Sequence, residues 1–538
     1  MAANDVFIGI GFGTLNSTIA IVGKDQGGET IANEDGDRII PSYVAYTGYE
    51  TIVGSQAKIQ AMSNAKGTIV QFKSLLGLKL EDEEVQHHIE KLSTTIVAHP
   101  SDAHQPAYEV EEYESEEAEE SVTKHISVNA VTATYLAKLK ETAEGYLGKS
   151  VNGAVISVPA HFAEKSKAAL IQSAKEAGFN KVHTVVEPVA AALCFDHAST
   201  VKASTTASKQ DRLILVVDLG GHQFNVTLLS ANNGLYSVIS SLDDYKLGGV
   251  HFDEVLVNYI KDEFKRKTKQ DISGNRRALA KLRSACEQTK RMLSQKDTAP
   301  CSVDSLYDGI DFHGPVVRGR FENLAEPLFQ RCAELIKQAL KEGGASAESI
   351  DEVLFVGGST RIPRFQQVIR NLFPESTEVR TDVEPDEAIG NGAAIQAGII
   401  VAAEAEGVDY AAAAVNKEVV ELPHLNHSVG LEVANGAFVK IIPRLTPIPA
   451  RRAFEFSNST KGQTEVYLAV YEGEDAVAKK NSLLAEIVLT DLPEGLAAGA
   501  AKIDVTFVIE KDEVLQVIAK ERTEGKQLKV KVTPAKQA

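Results

Sequence analysis

The sequence predicts a mixed α/β architecture over roughly its first 400 residues and an all-β sandwich over the rest. Short apolar strands alternate with long helical periods up to about residue 400. Beyond residue 425 the apolar residues alternate with a period of two, and no helical period returns. Three glycine-bearing turns, at 8–14, 217–221 and 356–360, each follow an apolar strand. The chain has 538 residues, of which 43% are apolar and 24% charged, a globular mixture that excludes wholesale disorder and a fibrous repeat.

Taken in order, residues 6–10, 17–21 and 43–46 read as strands separated by glycine and polar turns. An acidic run follows: Glu109, Glu111, Glu112, Glu114, Glu116, Glu117, Glu119 and Glu120. Such a run repels itself and buries no apolar surface, so it reads as a solvated loop, either a plain insertion or a docking site for a basic partner. Residues 128–147 form a helical pattern closed by Gly148. Residues 154–158 are a buried strand stopped by Pro159, and 163–177 a helix ended by Gly178. Residues 199–211 read as a flexible inserted tip. Residues 212–218 are a second buried strand, Gly220-Gly221 turns the chain, and 225–230 return antiparallel. Helical patterns cover 251–267, 276–294 and 320–342. Strand 353–356 ends in Gly357-Gly358, and helices 363–372 and 386–403 follow. Residues 404–424, with an alanine run, charges and Pro423, read as a linker. Segments 464–470, 502–509, 514–519 and 528–532 then alternate as strands. The expected division is a domain over 1–403, a linker over 404–424 and a sandwich over 425–538.

A net charge of −18, from 74 acidic and 56 basic residues, repels phosphate backbones. A broad basic nucleic-acid face is therefore not expected, although a small local basic patch is compatible with it. Cys194, Cys286, Cys301 and Cys332 are too few and scattered for a disulfide framework, and none forms a CxxC pair that would suggest zinc. His87-His88 reads as a surface pair with no third ligand nearby, so no metal-ligating set is expected. The start, MAANDVFIGIGFGT, has no basic segment of a secretory signal, and the nearly apolar stretch at 393–403 is about half a bilayer span. A soluble, cytoplasmic protein without membrane contact is expected.

Glycine at a strand end lets backbone N–H groups approach an anion closely. One such turn is weak, but three after strands suggest two homologous halves clasping a polyphosphate. No GxxxxGK[ST] occurs, and Gly9-Ile10-Gly11 has no helix after it, so neither a P-loop nor a Rossmann site is supported. Glu287, Lys290, Arg291 and Ser294 fall at i, i+3, i+4 and i+7, on one helical face. By itself that face reads as a salt-laced solvent surface; beside a nucleotide it could grip base and ribose.

Several strings carry a family resemblance: Val158-Pro159-Ala160, Glu187-Pro188, Val217-Asp218-Leu219-Gly220-Gly221, Leu247-Gly248-Gly249, Ala285-Cys286-Glu287, Asp304-Ser305-Leu306-Tyr307 and Val470-Tyr471-Glu472-Gly473-Glu474. The run Val356-Gly357-Gly358-Ser359-Thr360-Arg361-Ile362-Pro363 is close to a signature alone. In these the chain resembles the seventy-kilodalton heat-shock chaperones of the DnaK type over nearly its whole length. The resemblance implies an α/β actin-like ATPase fold of two lobes, followed by a peptide-binding β-sandwich, and ATP, with magnesium, as ligand. It implies that Gly13 and Thr14 approach the phosphates with Gly220 and Gly221 opposite. Leu15, His222 and Gly249 would belong to the same pocket. Glu287, Lys290, Arg291 and Ser294 would hold adenine and ribose, completed by Gly357, Gly358, Ser359, Arg361 and Asp386. Lys73, Glu187 and Asp218 match catalytic-centre residues.

The departures are more informative. The first loop of an active member reads Asp-Leu-Gly-Thr-Thr; here it is Gly11-Phe12-Gly13-Thr14-Leu15, without the carboxylate that helps hold hydrated magnesium. The second reads Asp-Leu-Gly-Gly-Gly-Thr-Phe-Asp; here His222 replaces the third glycine and Gln223 a phosphate-contacting threonine. These losses should slow hydrolysis more than they weaken binding, so ATP is expected as a bound structural ligand. Pro423 should weaken docking of the linker as a strand. Lys167 and His183 stand where arginines usually dock a J-domain. No helical pattern follows residue 532, so the family's helical lid is expected to be absent, leaving the groove to exchange peptide fast or hold something permanently.

Together these features resemble one branch, the Ssz-type subunits of the fungal ribosome-associated complex. That resemblance implies a stable heterodimer with a J-domain protein of the zuotin kind, ribosome contact made indirectly through that partner, and stimulation of a separate active chaperone on nascent polypeptide. The rival is an active chaperone ATPase cycling on client peptides, favoured by the retained Lys73, Glu187 and Asp218. A sugar or acetate kinase would leave the sandwich without a purpose.

Overall fold

The computed structural model describes residues 6–113, 121–203, 212–232, 235–405, 425, 427–442, 444, 446, 450–490, 497–509, 514–522 and 526–532. The chain divides into two compact units, Met1–Leu229 with Ser240–Ala414, and Ser230–Ile239 with Val415–Ala538.

The two-lobed actin-like fold is built on two sheets with helices. In the first sheet the strand order is Lys181–Val186, Gly153–Val158, Phe7–Gly11, Asn16–Val22, Gly28–Ile31. Phe7–Gly11 is buried along its whole length because it runs parallel to Gly153–Val158 on one side and antiparallel to Asn16–Val22 on the other. In the second sheet the order is Leu235–Asp244, Phe224–Asn232, Arg212–Leu219, Glu352–Val356, Glu378–Arg380. Asp218 lies opposite Val356 in parallel register. Each sheet therefore ends a buried strand in a glycine turn, one at Gly13 and the other at Gly220.

The helices are α1 (Ser55–Gln60), α2 (Glu83–Lys91), α3 (Val128–Leu147), α4 (Glu164–Glu176), α5 (Glu187–Ala203), α6 (Gly249–Thr268), α7 (Arg276–Leu293), α8 (Arg318–Glu342), α9 (Pro363–Arg370) and α10 (Ala388–Ala405). Their ends follow local chemistry. Ser127 accepts a hydrogen bond from Ala130 N at 3.1 Å to start α3, and Gly148, at φ 62°, ends it. Asn275 caps α7 in the same way. Among the described residues α10 alone has the length and composition of a membrane-crossing helix, yet it packs against α5 and strands Phe7–Gly11 and Asn16–Val22 as a core helix does.

The second unit holds the β-sandwich. One sheet has the order Phe438–Ile442, Val429–Glu432, Val466–Glu472, Ser482–Leu489; the other, Ala450–Phe456, Ile503–Ile509, Leu515–Glu521, Gln527–Val532. Leu431, Val470, Val505, Phe507 and Val517 meet in its core.

Several expectations need correction. Glu109, Glu111 and Glu112 lie in a strand, Asp102–Tyr113, not in a loop. Tyr108 and Val110 are buried while Glu109 and Glu111 are exposed, so period-two burial tolerates the acids on the outer side. Residues 114–120 of that run lie outside the described residues. His88 is not a surface residue: it is 6% exposed, sits three positions after buried Val85 on α2, and its Nδ1 lies 2.8 Å from the Glu84 carbonyl. Residues 199–203 continue α5, and 204–211 lie outside the described residues. Residues 404 and 405 are the last turn of α10, where Glu404 is held by Lys181 at 2.8 Å; 406–424, with Pro423, lie outside the described residues.

Candidate functional site

Between the two glycine turns lies a cleft of about 700 Å³. Every position singled out above as catalytic or nucleotide-contacting lines it, from Lys73, Glu187 and Asp218 to the three turns and the α7 face. A side chamber of about 170 Å³ shares Thr14, Lys73, Glu187 and Asp218 with it.

The catalytic-type residues come from three places. Lys73 sits on a 3-10 turn, Phe72–Leu75, Glu187 opens α5, and Asp218 closes its strand. Lys73 Nζ is 2.7 Å from Glu187 Oε1, both side chains being buried, and it also donates to the Phe12 carbonyl. Burial and the neighbouring Glu187 push the Asp218 carboxyl up to about 7, against the pull of Lys73.

The first turn is held from below. The Phe12 ring packs against Phe72 and Tyr135, with centroids 6.1 Å from each, and Phe12 N donates to Ser157 Oγ at 3.0 Å. Ser42 Oγ donates to the Gly13 carbonyl at 2.8 Å. A side chain at Gly13 would collide with the Asn16 carbonyl, which accounts for the glycine. In the second turn Gly220 N donates to Gln223 O at 3.0 Å. The first N–H groups of α6 return to the loop, Gly249 N to Gly220 O and Val250 N to Gly221 O. Leu15 reaches across from the first turn: its Cδ1 lies 2.8 Å from where a Cβ on Gly221 would stand. An apolar side chain thus covers the second phosphate-type loop. Burial, followed by His251 and the His87–His88 pair, pushes the His222 imidazole down to about 4.

At the other end α7 presents its charged face. Lys290 is 2.9 Å from Asp253 Oδ1 and donates to Gly249 O at 2.8 Å. Burial raises the Glu287 carboxyl, but Lys58 and Arg291 outweigh it and hold it below the usual range. Ser294 follows the last turn of α7. Gly357, at φ 83°, lies where a Cβ would strike the Leu219 carbonyl and Asp218, so the third turn packs directly on the second. Ser359 Oγ donates to Gly220 O at 3.1 Å, and Arg361 pairs with Glu384 and Asp386 at 2.6 and 2.5 Å.

Sequence reasoning missed Lys58, whose Nζ is 3.0 Å from Glu287 and closes the cleft from α1. It missed Asp253 as well. Lys58 is an unremarkable lysine on a six-residue helix with no periodic signal, and only the 229-residue separation bridged in space gives it a role. Lys167 pairs with Glu164 at 2.8 Å on α4, and burial lowers the His183 imidazole.

The donor set suits an adenine nucleotide. Glycine backbones border one end, and Lys290, Arg291, Arg361, Ser294 and Ser359 the other; Gly249 fills a point where a Cβ would meet Ser359 Oγ at 2.6 Å and Lys290 Nζ at 3.1 Å. The set for magnesium is thinner. Asp218 is a carboxylate in the cleft, Glu187 is taken by Lys73, and Gly11 and Asn225 supply none.

The family model described as Hsp70 protein matches residues 7–538. The chain belongs to the Hsp70 family. It is 38% identical over 531 residues to heat shock cognate 70 kDa protein 3 of Dictyostelium discoideum, covering 98% of this chain and 80% of that protein. It is 37% identical to heat shock 70 kDa protein 2 of Paracoccidioides lutzii, covering 98% and 76%. It is also 36% identical to a ribosome-associated molecular chaperone of Eremothecium gossypii, covering 98% and 82%. Hsp70 proteins are chaperones that bind ATP with magnesium and hold peptide clients. The glycine turns and the α7 face line one cleft of this Hsp70.

Proposed function

We propose that this Hsp70 is an ATP-binding, largely non-hydrolysing chaperone subunit. It acts in the cytoplasm in a stable heterodimer with a J-domain protein of the zuotin kind. The heterodimer sits on the ribosome and stimulates a separate, active Hsp70 on nascent polypeptide. The observation that carries the non-hydrolysing part is the phosphate end of the cleft. Lys73 is committed to Glu187 and the Phe12 carbonyl, while Leu15 covers Gly221. ATP with magnesium supplies the polyphosphate and its counter-charge when bound. Gly13, Thr14, Gly220 and Gly221 would approach the phosphates, and Glu287, Lys290, Arg291, Ser294, Ser359 and Arg361 would orient the adenosine. Hydrolysis depends on metal and positioned donors that spread developing charge. A leucine, a neutral histidine and a glutamine replace such donors here, and Gly11 offers no carboxylate. Binding keeps its contacts at the adenosine end, so it survives the change better than turnover does. The ribosomal setting draws on the likeness to a relative named as ribosome-associated.

The test measures ATP affinity by calorimetry beside single-turnover hydrolysis. Retained binding with turnover far below that of a DnaK-type protein is expected; hydrolysis at the DnaK-type rate overturns the reading in favour of an active ATPase, which the convergence of Lys73, Glu187 and Asp218 otherwise recommends. Purification from the native host checks the partnership. A stoichiometric J-domain protein that stays bound in high salt supports it, and a monomer exchanging peptides in response to ATP refutes it.

A further inference from the structure

A chain of net charge −18 carries one sheet face of opposite sign. In the sandwich sheet ordered Ala450–Phe456, Ile503–Ile509, Leu515–Glu521, Gln527–Val532, burial alternates along Ile503–Ile509 and Gln527–Val532, while Gln516 on the strand between them is buried on the outer side as well. Ile503, Val505, Phe507, Leu515, Val517 and Ala519 point inward. The register places the opposite set in cross-strand rows. Arg451 faces Val508, which faces Gln516, which faces Lys531. Thr506 faces Ile518, which faces Lys529, and Asp504 faces Lys520. Arg522 follows in the same alternation, its N–H bonded to the Lys502 carbonyl. The outer face thus holds Arg451, Lys502, Lys520, Arg522, Lys529 and Lys531, all exposed. Against them stands Asp504, which Arg522 clamps with two contacts of 2.7 Å.

We propose that this face is a contact surface for the phosphate backbone of double-helical RNA. Four strands about 4.8 Å apart set Arg451 and Lys531 roughly 14 Å from one another across the sheet, while alternate lysines along a strand stand about 6.8 Å apart. That is a two-dimensional array of point charges, suited to two phosphate rows flanking a groove. An extended acidic peptide would instead follow a single line. The face carries no aromatic side chain, so it offers bases no stacking platform and reads no sequence. Lysines dominate, and lysine meets phosphate as a point charge without bidentate geometry. The net charge of −18 repels nucleic acid overall, so contact needs a local basic face such as this one. The contact goes beyond the proposed function and does not depend on the J-domain partnership; on a ribosome it would add to whatever a partner provides.

The probe is a duplex RNA of about 20 base pairs and arbitrary sequence, titrated into the full chain by fluorescence anisotropy across a salt series. Binding in the micromolar range at about 50 mM salt is expected, with affinity falling by a log–log slope of about 0.9 per neutralised phosphate. The triple variant R451Q/K529Q/K531Q should lower that slope by about three and weaken binding at least tenfold at low salt. K91Q/K175Q, at exposed lysines of the other compact unit, should change neither. All three substituted side chains are solvent-facing, so an unchanged melting temperature verifies that the variant is folded. Absence of RNA binding at 50 mM salt, or equal binding by the triple variant, overturns the proposal. So does poly-glutamate binding that is tighter than RNA binding and lost in the same variant, which would assign the face to an acidic protein partner.

Discussion

At the scale of single residues, the cleft shows what a substitution can and cannot restore. Gly11 stands where the resemblance to the DnaK type implies the aspartate of the first loop. A Cβ there would collide with Thr18 Oγ1 and come within 3.0 Å of Gly390 N. Gly11→Asp should therefore destabilise the protein by about 1–3 kcal/mol, the usual range for overpacking, without restoring turnover; urea unfolding beside a hydrolysis assay checks both. Two buried titrations oppose each other nearby. The His222 imidazole is held down to about 4, so its contribution to stability is present above the unfolded value near 6.5 and is lost as pH falls through about 4. The Asp218 carboxyl is pushed up to about 7, so its contribution is present below the unfolded value near 3.8 and is lost as pH rises through about 7. In the nucleotide-free protein the two slopes partly cancel between about pH 4 and 7. His222→Gln should expose a fall in stability with rising pH, and Asp218→Asn a fall with decreasing pH. Chemical denaturation at pH 4.5, 5.5 and 6.5 reads the slopes, and identical slopes in both variants would contradict the assignment.

Among elements, the support under the first glycine turn matters most. Phe12, Phe72 and Tyr135 come from a strand end, a 3-10 turn and α3, and all three are essentially solvent-free. Tyr135 Oη also donates to the Ile40 carbonyl at 3.2 Å. Phe12→Ala should cost about 3–5 kcal/mol, the range for emptying an aromatic core site. It should also weaken ATP binding more than substitution of an equally buried phenylalanine on the far side, such as Phe264. Calorimetry on both variants separates loop support from general loss of core. The helices and strands themselves were readable because each obeys a local rule: α3 spans the expected residues 128–147, with Ser127 at its start and Gly148 at its end. The acidic strand Asp102–Tyr113 was not readable, because its charges masked an alternation carried by Tyr108 and Val110 alone.

For the whole molecule, the two compact units each enclose their own apolar cores. Heating should then give two calorimetric transitions. ATP at a hundredfold excess over its Kd should stabilise the cleft-bearing unit by about 2.7 kcal/mol and leave the sandwich transition in place. A single transition that shifts as one on adding ATP would show that the units unfold together.

The sequence by itself determined the order and type of most elements, because helical and strand periods and their glycine stops are local properties of neighbouring residues. It also brought the glycine turns and the α7 face under suspicion, since backbone approach to an anion and i, i+4 spacing are written in short strings. Only the tertiary structure decided which distant groups meet. Lys73 finds Glu187 across 114 residues, Lys58 finds Glu287 across 229, Leu15 lies over Gly221, and six basic residues from four strands and their ends share one face of an acidic protein. Coulombic and packing energies depend on distance through space, and a linear sequence carries no record of that distance until the sheets have closed.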